Sequence, residues 1–186
     1  MRVWVPGCST GEEAYSIAML LHEQMATLKM SFPAQVFATD IDNRAIATAR
    51  AGSYPVSIAG DLSPERLSRF FLLESDGMHY RVQKAIRDVL IFSEQDVIKD
   101  PPFSRLDLIS CRNLMIYMGA DLQRKLIPLF HYSLNPNGLL FLKGLPRASA
   151  SSPIRSRRWI ASRSSSCGAM PCSRRAGMAG VVPFQC

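Results

Sequence analysis

The residues of greatest chemical consequence are a run of small and acidic side chains close to the start of the chain, Gly7-Cys8-Ser9-Thr10-Gly11-Glu12-Glu13. They follow the apolar triplet Val3-Trp4-Val5 and precede a helical pattern. A glycine-rich turn between a first strand and a first helix lets backbone amides approach a nucleotide-like ligand, and the acid ending the next strand can take ribose hydroxyls. Asp40, at the end of Gln35–Thr39, is that acid. The loop reads G-x-x-x-G, not the dinucleotide G-x-G-x-x-G, and two carboxylates at a pyrophosphate site would repel the ligand. They suit a nucleoside cofactor without phosphates. S-adenosylmethionine, with a sulfonium, an amine and a ribose, is one. The loop alone equally fits a tight turn whose two acids stabilise the positive end of a helix dipole.

Positioning such a loop requires alternating strands and helices. Val3–Val5 reads as a buried strand ending at Pro6-Gly7. Thr10 and Glu13 have capping-box spacing, and Ala14, Ile17, Ala18 and Leu21 form the apolar stripe of a helix reaching about Met25. Gln35–Thr39 is a second strand, and a helix from about Asn43 stops at Gly52. Ser63-Pro64-Glu65 opens a helix expected to end near Leu73. Met78–Val82 and Val89–Phe92 are expected to pair antiparallel. Leu106–Ser110 is a core strand, Asp121–Tyr132 an amphipathic helix, Asn135–Gly138 a turn and Leu139–Leu142 a last core strand. The pattern predicts a mostly parallel sheet with helices on both faces.

The chain has 186 residues with 22 Lys+Arg and 15 Asp+Glu, a formal net charge of +7. Such a surplus invites a nucleic-acid partner. Its distribution argues otherwise: from Leu145 onward there are seven arginines and no Lys, Asp or Glu, which leaves residues 1–144 with 15 basic and 15 acidic side chains. That Arg/Ser-rich tail, 145–186, shows no period of either kind and is expected to lack regular structure. It also lacks aromatic residues for base stacking beyond Trp159 and Phe184. Cys8 and Cys111 are far apart in sequence, as in a reducing cytoplasm, and read as small buried residues. No apolar run reaches the roughly 20 residues of a membrane span, and His22, His79 and His131 lack metal-ligand spacing.

PGCSTGEEAYSIAMLL, VFATDID, DLSPERLSRFF, DLISCRNLMIYM and LNPNGLLFL, in that order, resemble the CheR-type chemotaxis methyltransferases over residues 2 to about 142. The run from DPPFSRLDLISCRNLMIYM to GLLFL is most similar to hybrid proteins that fuse this domain to a methylesterase domain and sensory modules. The resemblance implies a Rossmann-like class I methyltransferase fold over 1–144 with a small antiparallel β subdomain inserted at roughly 53–93. It implies methyl transfer from S-adenosylmethionine to glutamate side chains of chemoreceptors in the cytoplasm, with no nucleic-acid partner, no membrane insertion and no metal.

The resemblance also assigns residues. Pro6, Gly7 and Glu12 would meet the methionine part of the cofactor, and Asp40 the ribose hydroxyls; otherwise Asp40 would serve as a cap for the following helix. Asp96-Val97 stand where the family has an Asn-Leu pair near adenine, although an acid in a loop is commonly just solvated. Asn113 and Leu114 would line the cofactor site. Tyr117 would lie near the transferring methyl group as the catalytic candidate, or else be a half-buried core aromatic. Arg112 either orients an acidic substrate or pairs with a nearby acid.

A glutamate carboxylate is already ionised at neutral pH, with a pKa of about 4.3, so its in-line attack on the sulfonium methyl needs no general base. Alignment and desolvation are what an enzyme adds. Family members carry a helical domain before the first strand and further strands after GLLFL. Both are expected to be missing here, the second through a frameshift near Leu142. Codons CCG-AGA-GCA-TCG-GCG-AGT for Pro146–Ser151 read Glu-Ser-Ile-Gly-Glu in another frame, as the family continues. The competing functions are a methyltransferase with another acceptor and an inactive cofactor-binding or receptor-docking module.

Overall fold

The computed structural model describes residues 1–112, 114–142 and the backbone of 159–161. Six strands form one parallel sheet: β1 (Arg2–Pro6), β2 (Gln35–Asp40), β6 (Leu90–Glu94), β7 (Leu106–Cys111), β8 (Leu134–Leu142) and β9 (Trp159–Ala161). Their order is β6-β2-β1-β7-β8-β9. A separate three-stranded antiparallel sheet, order β3-β5-β4, is built from β3 (Ser53–Pro55), β4 (Phe71–Leu73) and β5 (His79–Val82). Set that insertion aside, and the main sheet runs 3-2-1-4-5-6, the doubly wound order. The strand order reverses between β1 and β7, so a crevice opens beyond the carboxyl ends of those two parallel strands.

Period-two alternation in the central strands fills both faces. Val3 and Val5 of β1 join Val36 and Ala38 of β2 in one core with Ala14, Tyr15 and Ala18 of α1 (Glu12–Leu28) and Ile46 of α2 (Asn43–Ala51). Trp4 and Phe37 face the other side, against Leu126 and Phe130 of α5 (Ala120–Ser133). Trp4 is wholly buried, donates its indole N–H to the Thr39 hydroxyl (3.0 Å), and meets Phe103 and Phe130 edge-on at 5.5 and 5.6 Å between ring centres. At the opposite end, the Asp107 carboxylate accepts the Arg2 amide and the Asn135 side-chain amide, both at 2.8 Å. It thereby ties β1, β7 and β8 together. Burial raises this carboxyl's pKa, but those two hydrogen bonds outweigh it and hold it below the ordinary range.

Several expectations are corrected. Helix α1 starts at Glu12 with Gly11, not Thr10, at the cap position, because the Thr10 hydroxyl is donated to the Glu12 carboxylate. Helix α3 (Pro64–Phe70), capped by Ser63, stops before Leu73. The apolar run Phe71-Leu72-Leu73 becomes strand β4, burying Phe71 opposite Val82. Met78–Val82 and Val89–Phe92 do not pair: β5 lies between β3 and β4, while β6 runs parallel to β2 at the main sheet's edge. The small sheet therefore closes at Val82, and a short helix α4 (Lys84–Arg87) leads back to the main one. Asn135–Gly138 sits inside β8 as an irregularity, where the register passes from Leu106 opposite Leu134 to Leu108 opposite Leu139. In the tail, Trp159–Ala161 pair parallel with Leu140–Leu142, although the sequence there shows no strand period.

Candidate cofactor site

The site is built at the carboxyl ends of β1, β2 and β7. Leaving β1 at Pro6, the chain is hooked onto β2 by the Gly7 and Cys8 amides, which both donate to the Thr39 carbonyl (2.7 and 3.0 Å). Two glycines make the loop possible. Gly7 has φ +69° and Gly11 φ +96°, the left-handed region that a Cβ disfavours. A Cβ on Gly11 would also lie 2.9 Å from the Ala49 methyl, so this glycine lets α1 begin hard against α2. A Cβ on Gly7 would lie 3.0 Å from Leu114. That approach brings the Pro6-Gly7 turn together with the short 3-10 turn Leu114–Tyr117 after β7.

Asp40 ends β2 half-buried. One carboxylate oxygen accepts the Ser9 amide (2.7 Å) and the other the Asp42 amide (3.0 Å), which ties the β1 loop to the β2 loop. The cap of α2 is Asp42, through the Arg44 amide, which leaves Asp40 outside the capping role considered above.

The two glutamates are separated by helix phase. Glu12 is exposed and accepts the Thr10 hydroxyl (2.7 Å). Glu13 is half-buried and accepts the hydroxyl of Ser110, a buried residue near the end of β7 (2.5 Å). Its carboxylate thus bridges α1 and β7 beside the point where the strand order reverses. Glu13 is a further candidate for the site, one that sequence reasoning did not name beside Glu12. The signal was its i+4 line with Ile17 and Leu21, which pack against the core. Cys8 and Cys111 flank this carboxylate. Burial, then the nearby Asp40, pushes the Cys8 thiol up to about 12; burial, then Glu13, does the same for Cys111. Both thiols stay protonated and make poor nucleophiles.

The remaining expected residues are less gathered. Asn113 lies outside the described residues. Arg112, at the end of β7, has a buried Nε without a protein partner among the described residues. Tyr117 is 83% exposed, so it is no core aromatic. The loop after β6 begins against the crevice, with the Gln95 amide on the Asp40 carbonyl (2.9 Å). There Asp96 spends its carboxylate on its own turn. It accepts the Ile98 amide (3.0 Å) and pairs with Lys99 (3.0 Å), contacts that lower its pKa. Val97 is buried in the core that holds Trp4 and Phe37.

Away from the crevice, Glu74, Asp76 and His79 cluster at the β4–β5 turn. Their carboxylates are engaged by Arg81 (2.6 Å) and His79 (2.7 Å). A polar groove of about 800 Å³ between the far half of α1 and α3 is crossed by the two-pronged Arg66–Glu23 pair (2.7 and 2.8 Å), which braces the scaffold. Among the described residues no helix is long and apolar enough to cross a membrane.

A doubly wound sheet with two carboxylates at its switch point has the architecture of a nucleoside-binding α/β protein, and those carboxylates suit a cationic, hydroxyl-bearing ligand and would repel a pyrophosphate. Residues 1–144 match the CheR methyltransferase, SAM binding domain, and the chain belongs to that family. It is 34% identical over 146 residues to chemotaxis protein methyltransferase 1 of Pseudomonas aeruginosa, covering 76% of this chain and 53% of that protein. With the chemotaxis protein methyltransferase of Escherichia coli it shares 36% over 148 residues, 75% of this chain and 50% of that one. An uncharacterized 104.1 kDa protein of Rhodobacter capsulatus is 39% identical over 144 residues, which is 77% of this chain and 15% of the larger protein. The chain thus spans about half the length of the chemotaxis methyltransferases it matches and a small part of a much larger protein. Its cofactor is S-adenosylmethionine.

Proposed function

We propose that this chain is the catalytic core of a cytoplasmic methyltransferase that esterifies glutamate side chains of chemoreceptors, within a longer and multidomain protein. The observation that carries this reading is the placement of Asp40 and Glu13 on either side of the Gly7–Gly11 loop, at the sheet's switch point. S-adenosylmethionine supplies a methyl group activated by its sulfonium. The chain's own groups do the rest. Asp40 offers carboxylate oxygens to ribose hydroxyls, and the loop at Pro6-Gly7 brings backbone within reach of the methionine part. Glu13, with Glu12 beside it, offers negative charge to the cationic amine. Leu114, packed close to Gly7, lines the same crevice from the turn after β7; the family resemblance would add Asn113 there and Asp96 and Val97 towards the base. Exposed Tyr117 is the candidate beside the methyl group, where a receptor carboxylate would approach. Arg112, whose buried Nε has no protein partner among the described residues, is suited to an acidic substrate. No group on this list has to take a proton, since the nucleophile arrives ionised.

The test is transfer of labelled methyl groups from S-adenosylmethionine to receptor-bearing membranes, with the chain joined to the helical domain that its relatives carry. Base-labile label on the receptor supports the proposal. Cofactor binding without any transfer would leave the second reading, a cofactor-binding or receptor-docking module. Within the site, Glu13→Gln is expected to weaken S-adenosylhomocysteine binding about tenfold by calorimetry, the scale of one charge-assisted hydrogen bond. Glu12→Gln is expected to change it less than about twofold. The opposite ranking would return the role to Glu12.

A further inference from the structure

A buried side chain of the inserted sheet reaches the cofactor loop. Tyr54, in the middle of β3, is 5% exposed and donates its hydroxyl to the Thr10 carbonyl at 2.7 Å. The two partners are 44 residues apart in sequence: Tyr54 belongs to the small sheet, and Thr10 to the loop that follows β1 of the main one. Tyr54 is also pinned from behind. Its ring meets Tyr15 edge-on at 6.0 Å, and Tyr15 donates in turn to the Ala49 carbonyl (2.8 Å). Gly52 is needed where the chain enters β3, since a Cβ there would lie 2.7 Å from the Tyr15 hydroxyl. Burial raises the pKa of Tyr54 well above the ordinary phenol range, so the hydroxyl remains a donor.

Thr10 stands between Ser9 (φ +49°) and Gly11 (φ +96°), two of the three left-handed residues that shape the loop. A hydrogen bond to the Thr10 carbonyl fixes the Thr10–Gly11 peptide plane, and with it the left-handed turn into α1. In the same short loop the Ser9 amide is held by Asp40 and the Thr10 hydroxyl by Glu12. Without the phenol, that carbonyl faces a buried ring edge with no donor, and the peptide gains freedom to rotate.

We propose that Tyr54 is a positioning residue for the cofactor site: its hydroxyl couples the order of the inserted antiparallel sheet to the conformation of the Ser9–Gly11 loop. The inference rests on the cofactor placement proposed above. Coupling of this kind is reciprocal. A ligand that orders the loop must also steady the small sheet, and loosening the small sheet must weaken the ligand.

The experiment uses the full chain with S-adenosylhomocysteine as probe. Tyr54→Phe keeps the ring and removes only the donor, and is expected to bind about three- to tenfold more weakly by calorimetry, the fold-change of one lost hydrogen bond. Independently of any variant, adding the probe to the unsubstituted chain is expected to slow amide exchange in residues 53–55 and 79–82, not only around the loop. In Tyr54→Phe that remote protection is expected to vanish while the loop is still protected. A side chain that merely supported the fold would lower stability and leave these two readouts unmoved. Unaltered affinity in the variant, or ligand protection confined to the loop in the parent, overturns the proposal. Failure of the parent chain to bind the probe at all overturns the cofactor placement itself.

Discussion

Asp40→Ala is expected to weaken S-adenosylhomocysteine binding by at least about a hundredfold, the largest effect of any single change at the site. Two losses combine. Charge-assisted hydrogen bonds to ribose are worth about 1.5–3 kcal/mol each, and a carboxylate can accept two. The Ser9 and Asp42 amides, now held at 2.7 and 3.0 Å, also lose their acceptor, so the loop is no longer preset. Asp40→Asn keeps one oxygen for these amides and is expected to fall between the parent and the alanine variant. Calorimetry on the three proteins checks the order, and an alanine variant binding within about fivefold of the parent would remove Asp40 from the site.

The largest effect on stability is expected from Trp4→Ala, at about 3–5 kcal/mol, the range for deleting a fully buried large aromatic. The indole fills the space between Phe103 and Phe130 and donates to Thr39, whose carbonyl anchors the Gly7 and Cys8 amides. Since whole domains are stable by only about 5–15 kcal/mol, the variant should unfold at a much lower urea midpoint. Trp4→Phe retains most of the packing and loses only the N–H, so it should cost about 1 kcal/mol. An alanine midpoint displaced by no more than the phenylalanine one would contradict this account of the core.

What could be read beforehand depended on how local the determinants are. Strand ends β1 and β2 were legible, because Pro6-Gly7 and Asp40 punctuate apolar runs, and α2 was legible in its start near Asn43 and its stop at Gly52, though not in its cap, Asp42. The fate of Phe71-Leu72-Leu73 was not. An apolar run after a helix continues it or leaves it equally well, and β5, arriving later in the chain, decides by offering Val82 and Arg81 as partners. The partner of β6 was illegible for the same reason, since alternation tells a strand from a helix but does not name its neighbour. At the site, Asp40 was visible as a strand-ending acid. Glu12 and Glu13 are identical neighbours, and only the helix phase, fixed once Gly11 rather than Thr10 occupies the cap position, turns one towards Ser110 and the other to water.

The Arg2 amide reaches the Asp107 carboxylate across 105 residues, and β1 takes β7 as its second neighbour. During synthesis the first strand therefore emerges long before the one that completes its pairing. One flank of β1 stays open until more than half of the chain has been made, and half of the cofactor crevice does not exist before then. Contacts this distant in sequence slow folding and prolong the exposure of unpaired strand edges. Ribosome-bound chains released before residue 112 should be clients of chaperones rather than binders of nucleosides, with the final assembly of the crevice coinciding with the docking of β7.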